Sequence, residues 1–268
     1  MTNATHPTPY TDVNTVLLEL LSGVQTILGS RFIGLYLLGS LASGDFDRDS
    51  DVDFVVVSED EISPDLFGAL QAMHARIATI DSWCATQLDG SYISQHALRR
   101  YDPANTVHPH IDRDVGESLR MMQHDSDWII QRHNLRERGL VVAGPAPHTL
   151  IDPILPRQLQ QAVLDMLHGW FAPMIDDPAP LKTRGYQSYI VLTLCRMLYT
   201  LEFGTLVSKG VAAHWAQQIL DERWIPLIAR AWQGRQTPRL ESQVDDVNST
   251  LKFIRYVVER NPTQNRER

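Results

Sequence analysis

From Thr11 the apolar residues Val13, Val16, Leu17, Leu20, Leu21, Val24, Ile27 and Leu28 recur at helical spacing, which predicts a helix. Phe32 to Leu38 reads as a strand broken by Gly39-Ser40. Leu41 to Ser50 is polar and rich in Gly and Asp, the pattern of a short turn or helix start followed by a loop. Val52 to Val57 is the next strand, and so short a connection predicts an antiparallel or mixed pair. Ser63-Pro64-Asp65 opens a helix, with Ser63 as N-cap and Pro64 at its first position, running to about Ala78. A third strand is expected over Trp83 to Leu88, ending at Asp89-Gly90. Tyr101 to Gly116, rich in Asp, Pro and His, is expected to be an ordered loop. A helix over Ser126 to Arg136 and a short edge strand at Leu140-Val141-Val142 close this region at Gly144-Pro145.

Beyond Pro145 the pattern changes. Helical spacing recurs at Arg157 to Phe171, Tyr186 to Phe203, Val207 to Leu220, Trp224 to Trp232 and Leu240 to Arg260, and no strand pattern appears after Pro153. The expected class is therefore α+β, with a domain over residues 1–150 built on a small mixed sheet with flanking helices. An all-helical bundle domain over 151–268 follows it.

Composition narrows the function. The 268 residues carry a net charge of -8, which disfavours a nucleic-acid partner. No uninterrupted apolar run reaches the roughly 18 residues of a membrane span, and the polar start MTNATHPTPYTD does not read as a signal peptide, so a cytoplasmic protein is expected. Cys84 and Cys195 match no metal-ligand spacing and read as buried hydrophobes. His108, His110, His124 and His133 show no zinc spacing and are expected on loops and surface.

The chemistry concentrates at residues 39–53. Asp51 and Asp53 stand at the mouth of the apolar run Phe54-Val55-Val56-Val57. One residue apart, two carboxylates share a strand face and repel each other. Arg48 is the only local cation to offset them, and an external cation such as Mg2+, which takes oxygen ligands, would do so better. Gly39-Ser40, after a strand, can turn sharply and present N–H groups and a hydroxyl to a phosphate. A phosphate cradle beside a metal site is the reading of this order.

Gly39-Ser40 followed by Asp51-Val52-Asp53 resembles the signature of the nucleotidyltransferase superfamily. Residues 189–209, YIVLTLCRMLYTLEFGTLVSK, resemble the C-terminal helical domain of the aminoglycoside adenylyltransferases that act on spectinomycin and streptomycin. The resemblance spans most of the chain. It implies ATP and Mg2+ as cofactors, with Mg2+ on Asp51 and Asp53 and near Asp89. Asp89 would be the base that takes the acceptor proton. Gly39, Ser40, Ser50, Arg196 and Lys209 would bind the nucleotide. The product would be an AMP ester plus pyrophosphate, formed in a cleft between the two halves of a monomer.

Three departures bear on the acceptor. The streptomycin-modifying pattern has Glu where this chain has Asp89. It has Trp after Gly-Glu, where this chain has Gly116-Glu117-Ser118. It also has an Asp and a His where this chain has Tyr186 and Tyr189. Glu117, Ser118, Tyr186 and Tyr189 are therefore the expected acceptor contacts, with Asp125 and Asp127 as further acidic candidates. Losing an anionic partner for a guanidino sugar favours spectinomycin over streptomycin. The competing reading is transfer to another small molecule or to a protein.

Overall fold

The computed structural model describes residues 7–44, 46–47, 50–113, 118–235 and 244–262. Packing divides the chain into two units, Met1–Pro153 and Ile154–Arg268.

The first unit opens with α1 (Thr11–Leu28), then β1 (Phe32–Leu37), the short α2 (Gly39–Ser43) and β2 (Val52–Ser58). Helix α3 (Pro64–Ile77) starts at the expected cap, where the Ser63 side chain accepts a hydrogen bond from the Leu66 N–H. Next come β3 (Leu88–Ser94), α4 (Gln95–Arg99), β4 (Val107–Ile111), β5 (Arg120–Gln123), α5 (Asp127–Arg138), β6 (Leu140–Ala143) and α6 (Pro147–Leu150). The strands form one sheet in the order β5-β4-β3-β2-β1-β6. Only β2 and β3 pair in parallel, so the sheet is mixed.

Beyond Asp53, β2 is buried along its length, as a central strand covered on both faces should be. Val16, Leu17, Leu20 and Val24 of α1 join Leu70 and Met73 of α3, Leu35 and Leu37 of β1, and Phe54 and Val56 of β2 in one core. Each fully buried side chain of this size contributes roughly 1.5–3 kcal/mol. By length and composition alone, Thr11–Arg31 is apolar enough to cross a bilayer. A count of uninterrupted apolar residues misses it, because Thr15, Ser22 and Gln25 lie within it on the exposed face. Its apolar stripe is the one that packs into this core.

Three strand assignments differ from the sequence pattern, one of them β5, which forms over Arg120–Gln123 where no strand was expected. The residues before Leu88 turn rather than extend: Ala85 N–H bonds to Ser82 O at 3.1 Å and Gln87 N–H to Cys84 O at 3.0 Å. Cys84 and Ala85 are drawn into the core, and the strand begins only at Leu88. Asp89 is therefore inside β3 and not at a turn beyond its end. The segment read as a loop contains β4, which pairs with β3 through Gly90↔Ile111 and Ser91↔His110, and with β5 along four residues. Its Pro109 hid the strand, since proline lacks an N–H for the ladder.

In the second unit every described element is helical. Helix α7 (Pro156–Met166) runs on through a wider turn to Phe171. Helix α8 (Arg184–Phe203) is buried along most of its length, and α7, α9 (Lys209–Ile219), α10 (Ile225–Gly234) and α11 (Val244–Arg260) pack against it. Thr183 and Ser208 cap α8 and α9 by accepting N–H bonds from Tyr186 and Val211. Cys84 and Cys195 are both buried thiols, as expected.

Candidate active site

Hydrogen bonding across the parallel pair sets Asp53 directly opposite Asp89. Neighbouring strands lie about 4.8 Å apart, so the two carboxylates sit side by side at the start of both strands. Asp51 precedes β2 by one residue. The end of β1 is tied to this corner by the Leu38 N–H, which bonds to Asp53 O at 3.1 Å. Gly39 follows with φ of +62°, and a Cβ built there would fall 1.8 Å from Asp53 Oδ2. Only glycine fits, on steric and conformational grounds together. Gly90 plays a similar part in β3: a Cβ there would lie 2.4 Å from Phe54 O.

Burial, aggravated by the charges of Asp53, Asp51 and Asp112, pushes the Asp89 carboxyl up to about 8. Arg113 works in the opposite direction on Asp89 and is itself ion-paired with Asp51. A set of crowded oxygen donors suits a hard divalent cation. The residues present therefore fit Mg2+. The Ser40 hydroxyl oxygen is buried, and among the described residues it has no hydrogen-bond partner. An orphaned hydroxyl beside the carboxylates fits a phosphate oxygen as its missing partner. Ser50 differs: its hydroxyl donates to Asp47 Oδ1 at 2.8 Å and accepts from the Asp47 N–H at 3.1 Å, closing the loop before β2.

The histidines overturn the surface expectation. His108, His110 and His124 are 2%, 6% and 4% exposed, so they belong to the interior, and His133 is half-buried. The His108 and His124 rings stack at 5.7 Å, and His124 meets Trp128 edge-on at 4.5 Å. His110 Nε2 lies 3.1 Å from Asp112 Oδ1 and 3.6 Å from Asp89 Oδ1. Burial lowers the affinity of all three rings for a proton, His124 to about 3. The alternation His108-Pro109-His110-Ile111-Asp112 was the available signal, since it puts both histidines and Asp112 on one strand face. Reading the proline as a loop marker concealed it. Asp112 and Arg113 were missed for the same reason.

Of the acceptor candidates, Ser118 is exposed and Glu117 lies outside the described residues, as does Arg48. Asp127 opens α5, where burial and the charge of Asp125 push its carboxyl up to about 6. In the second unit Tyr186 and Tyr189 lie one turn apart on α8, their rings 5.9 Å apart. Trp170 approaches Tyr189 at 5.8 Å, and Lys209 Nζ lies 5.6 Å from the Tyr189 ring centroid. Arg196, in the same helix, is half-buried among Leu194, Cys195, Met197 and Leu198.

A mixed sheet with paired carboxylates on adjacent parallel strands, beside a glycine-serine turn, defines the class of nucleotidyltransferases. Residues 19–85 match the family model described as nucleotidyltransferase domain. Residues 149–260 match the model described as aminoglycoside adenylyltransferase, C-terminal domain. The first match lies in the first unit and the second almost wholly in the second, so the chain is similar to the aminoglycoside adenylyltransferases of that superfamily across both. Among its relatives, an aminoglycoside (3'') (9) adenylyltransferase of Escherichia coli is 27% identical over 92% of this chain and 94% of its own length. A spectinomycin 9-adenylyltransferase of Staphylococcus aureus is 23% identical over 90% and 94%. The fold is shared with the crystal structure of a spectinomycin adenyltransferase from Enterococcus faecialis with ATP and spectinomycin. The TM-score is 0.72 and the identity 17%, covering 91% of this chain and 98% of that one.

Proposed function

We propose that this chain transfers AMP from ATP to a hydroxyl of an aminoglycoside or aminocyclitol, spectinomycin rather than streptomycin, and releases pyrophosphate. The observation that carries this reading is the pairing of Asp53 with Asp89 across β2 and β3 beside Gly39-Ser40. Similarity to that family supplies the nucleotide and the class of acceptor.

Asp51 and Asp53, joined by Asp89, would hold Mg2+, which when bound offsets phosphate charge and stabilises attacking and leaving oxygens. Ser40 and the backbone at Gly39 would bind phosphate oxygens, and Arg196 and Lys209 would supply cations to the triphosphate. Ser50, used by Asp47, would order the loop that carries Asp51. Asp89 would accept the proton of the acceptor hydroxyl as that oxygen attacks the α-phosphorus; the bond to the leaving pyrophosphate breaks. Its raised proton affinity suits a group that must take a proton near neutral pH. Glu117, Ser118, Tyr186 and Tyr189 would contact the acceptor. Tyr186 and Tyr189, which sit beside Trp170, bring no carboxylate to the places where the streptomycin-modifying pattern has an Asp and a His, so a guanidino sugar would lack its anionic partner there. The units bounded near residue 150 would divide the work: the first carries the carboxylates, the second is a helical bundle for nucleotide and acceptor. The enzyme would act as a monomer in the cytoplasm, where ATP is supplied.

The test is pyrophosphate release from ATP and Mg2+ with spectinomycin, with streptomycin, with other aminoglycosides and with no acceptor. Release with spectinomycin and not with streptomycin is expected. Release with streptomycin alone would overturn the specificity, and silence with every acceptor despite ATP binding would move the acceptor to another metabolite or a protein.

A further inference from the structure

The buried polar chain behind Asp89 has a direction fixed by elementary donor and acceptor rules. His110 Nε2 faces two carboxylates, Asp112 at 3.1 Å and Asp89 at 3.6 Å. The Asp112 carboxylate, the one of the two within hydrogen-bond distance, only accepts, so Nε2 carries the hydrogen. In a neutral imidazole Nδ1 is then an acceptor, and it lies 2.8 Å from the Ser91 hydroxyl, which must donate to it. The Ser91 oxygen in turn lies 3.1 Å from His124 Nε2 and accepts from it. The chain runs from His124 through Ser91 and His110 to the carboxylates, with every proton assigned. Ser91 and His110 are 3% and 6% exposed, so water does not compete for these bonds. Ser91 and His110 also face each other across the β3–β4 ladder, two residues beyond Asp89 on the same face of β3.

We propose that His110 is a positioning residue for Asp89: a neutral Nε2–H imidazole, oriented by Ser91 and His124, set between Asp89 and Asp112 to hold the base in place and keep the two carboxylates apart. This rests on the assignment of Asp89 as base. Asp89, His110 and Asp112 each place an atom within 4.8 Å of the other two, so the ring N–H faces both carboxylates at once. Loss of its N–H leaves Asp89 without its only imidazole neighbour among the described residues, while Gly39, Ser40, Asp51 and Asp53 keep their places. The effect should therefore fall on kcat and spare nucleotide affinity.

The experiment uses the full chain, with ATP, Mg2+ and spectinomycin. His110→Phe keeps the ring and removes the donor; His110→Gln restores an N–H near the position of Nε2. His110→Phe is expected to lower kcat at least tenfold with KM for ATP and Tm little changed, and His110→Gln to recover part of the rate. Ser91→Ala, which frees the ring's tautomer, should give a smaller loss and carries the test if His110→Phe does not fold. Combined with Asp89→Asn, His110→Phe should cost almost nothing more, because there is no base left to position. Nitrogen NMR of the wild-type rings should show His110 as the Nε2–H tautomer at neutral pH. Unchanged kcat in His110→Phe, an equal loss with and without Asp89, or an Nδ1–H tautomer would overturn the proposal while leaving the reaction intact. Normal rates in Asp89→Asn would remove the base itself, and this proposal with it.

Discussion

At the residue scale, the site depends on a few contacts too tight to alter. Asp51→Asn or Asp53→Asn is expected to abolish pyrophosphate release with little change in Tm, because each removes a charged ligand from a polar corner and not from the core. Turnover within a few-fold of wild type in either would exclude the carboxylate pair. Asp89→Asn should bind ATP and Mg2+ and lose about a hundredfold or more in rate, the usual contribution of a positioned general base. Gly39→Ala makes a sharper demand. Its φ of +62° costs a residue with a Cβ roughly 1–2 kcal/mol, and the added atom would displace the Asp53 carboxylate. A lower Tm together with lost activity is expected, and wild-type values of both would show that the corner can relax. Asp51, Asp53, Gly39 and Ser40 were legible in the sequence because the relevant spacing is local. Asp112, Arg113 and His110 were not, since their nearness to Asp89 and Asp51 depends on strand pairing between segments about twenty to sixty residues apart.

At the element scale, the β2–α3–β3 packing encloses a fourth buried imidazole. His74 of α3 lies 2.7 Å from the Tyr92 hydroxyl of β3 and stacks near Phe54 of β2. Burial lowers its proton affinity from 6.5 to about 4. The unfolded chain therefore takes up a proton near pH 6.5 that the folded one refuses. This part of the stability is fully present above pH 6.5, is lost progressively as pH falls towards 4, and falls no further below that. The loss is about 3 kcal/mol at most. His124, lowered in the same direction, adds to the slope. Asp89 and Asp127, whose carboxyls are raised in the folded chain, work against this slope, so the check is a difference: between pH 7 and pH 4 the wild type should lose more Tm than His74→Gln, which does not titrate. An identical slope in the variant would place the acid sensitivity elsewhere. The long helices of both units were legible from apolar periodicity, while the short α4 and α6, each about one turn, were not. Strand β4 was not, because Pro109 and three polar or charged neighbours gave no apolar alternation to read.

At the scale of the whole molecule, a chain of net charge -8 sets up a negative field for a cationic acceptor to follow. The KM for spectinomycin is expected to rise with ionic strength, with kcat steady. A salt-independent KM would show that acceptor capture depends on short-range contacts alone. The same charge agrees with a small-molecule partner rather than a nucleic-acid backbone, whose binding needs a basic surface.

Local sequence by itself determined the long helices, the glycine-serine turn, the Asp51–Asp53 pair and, through these motifs, the family resemblance. Each of these is encoded within some fifteen residues, where backbone sterics and side-chain periodicity act directly. Only the tertiary structure decided that Asp89 lies in a strand opposite Asp53, that Gly39 is required by Asp53 Oδ2, and that three histidines are interior groups behind the carboxylates. Those facts come from the register between distant strands and from the low dielectric that burial creates, and neither is a property of any single stretch of chain.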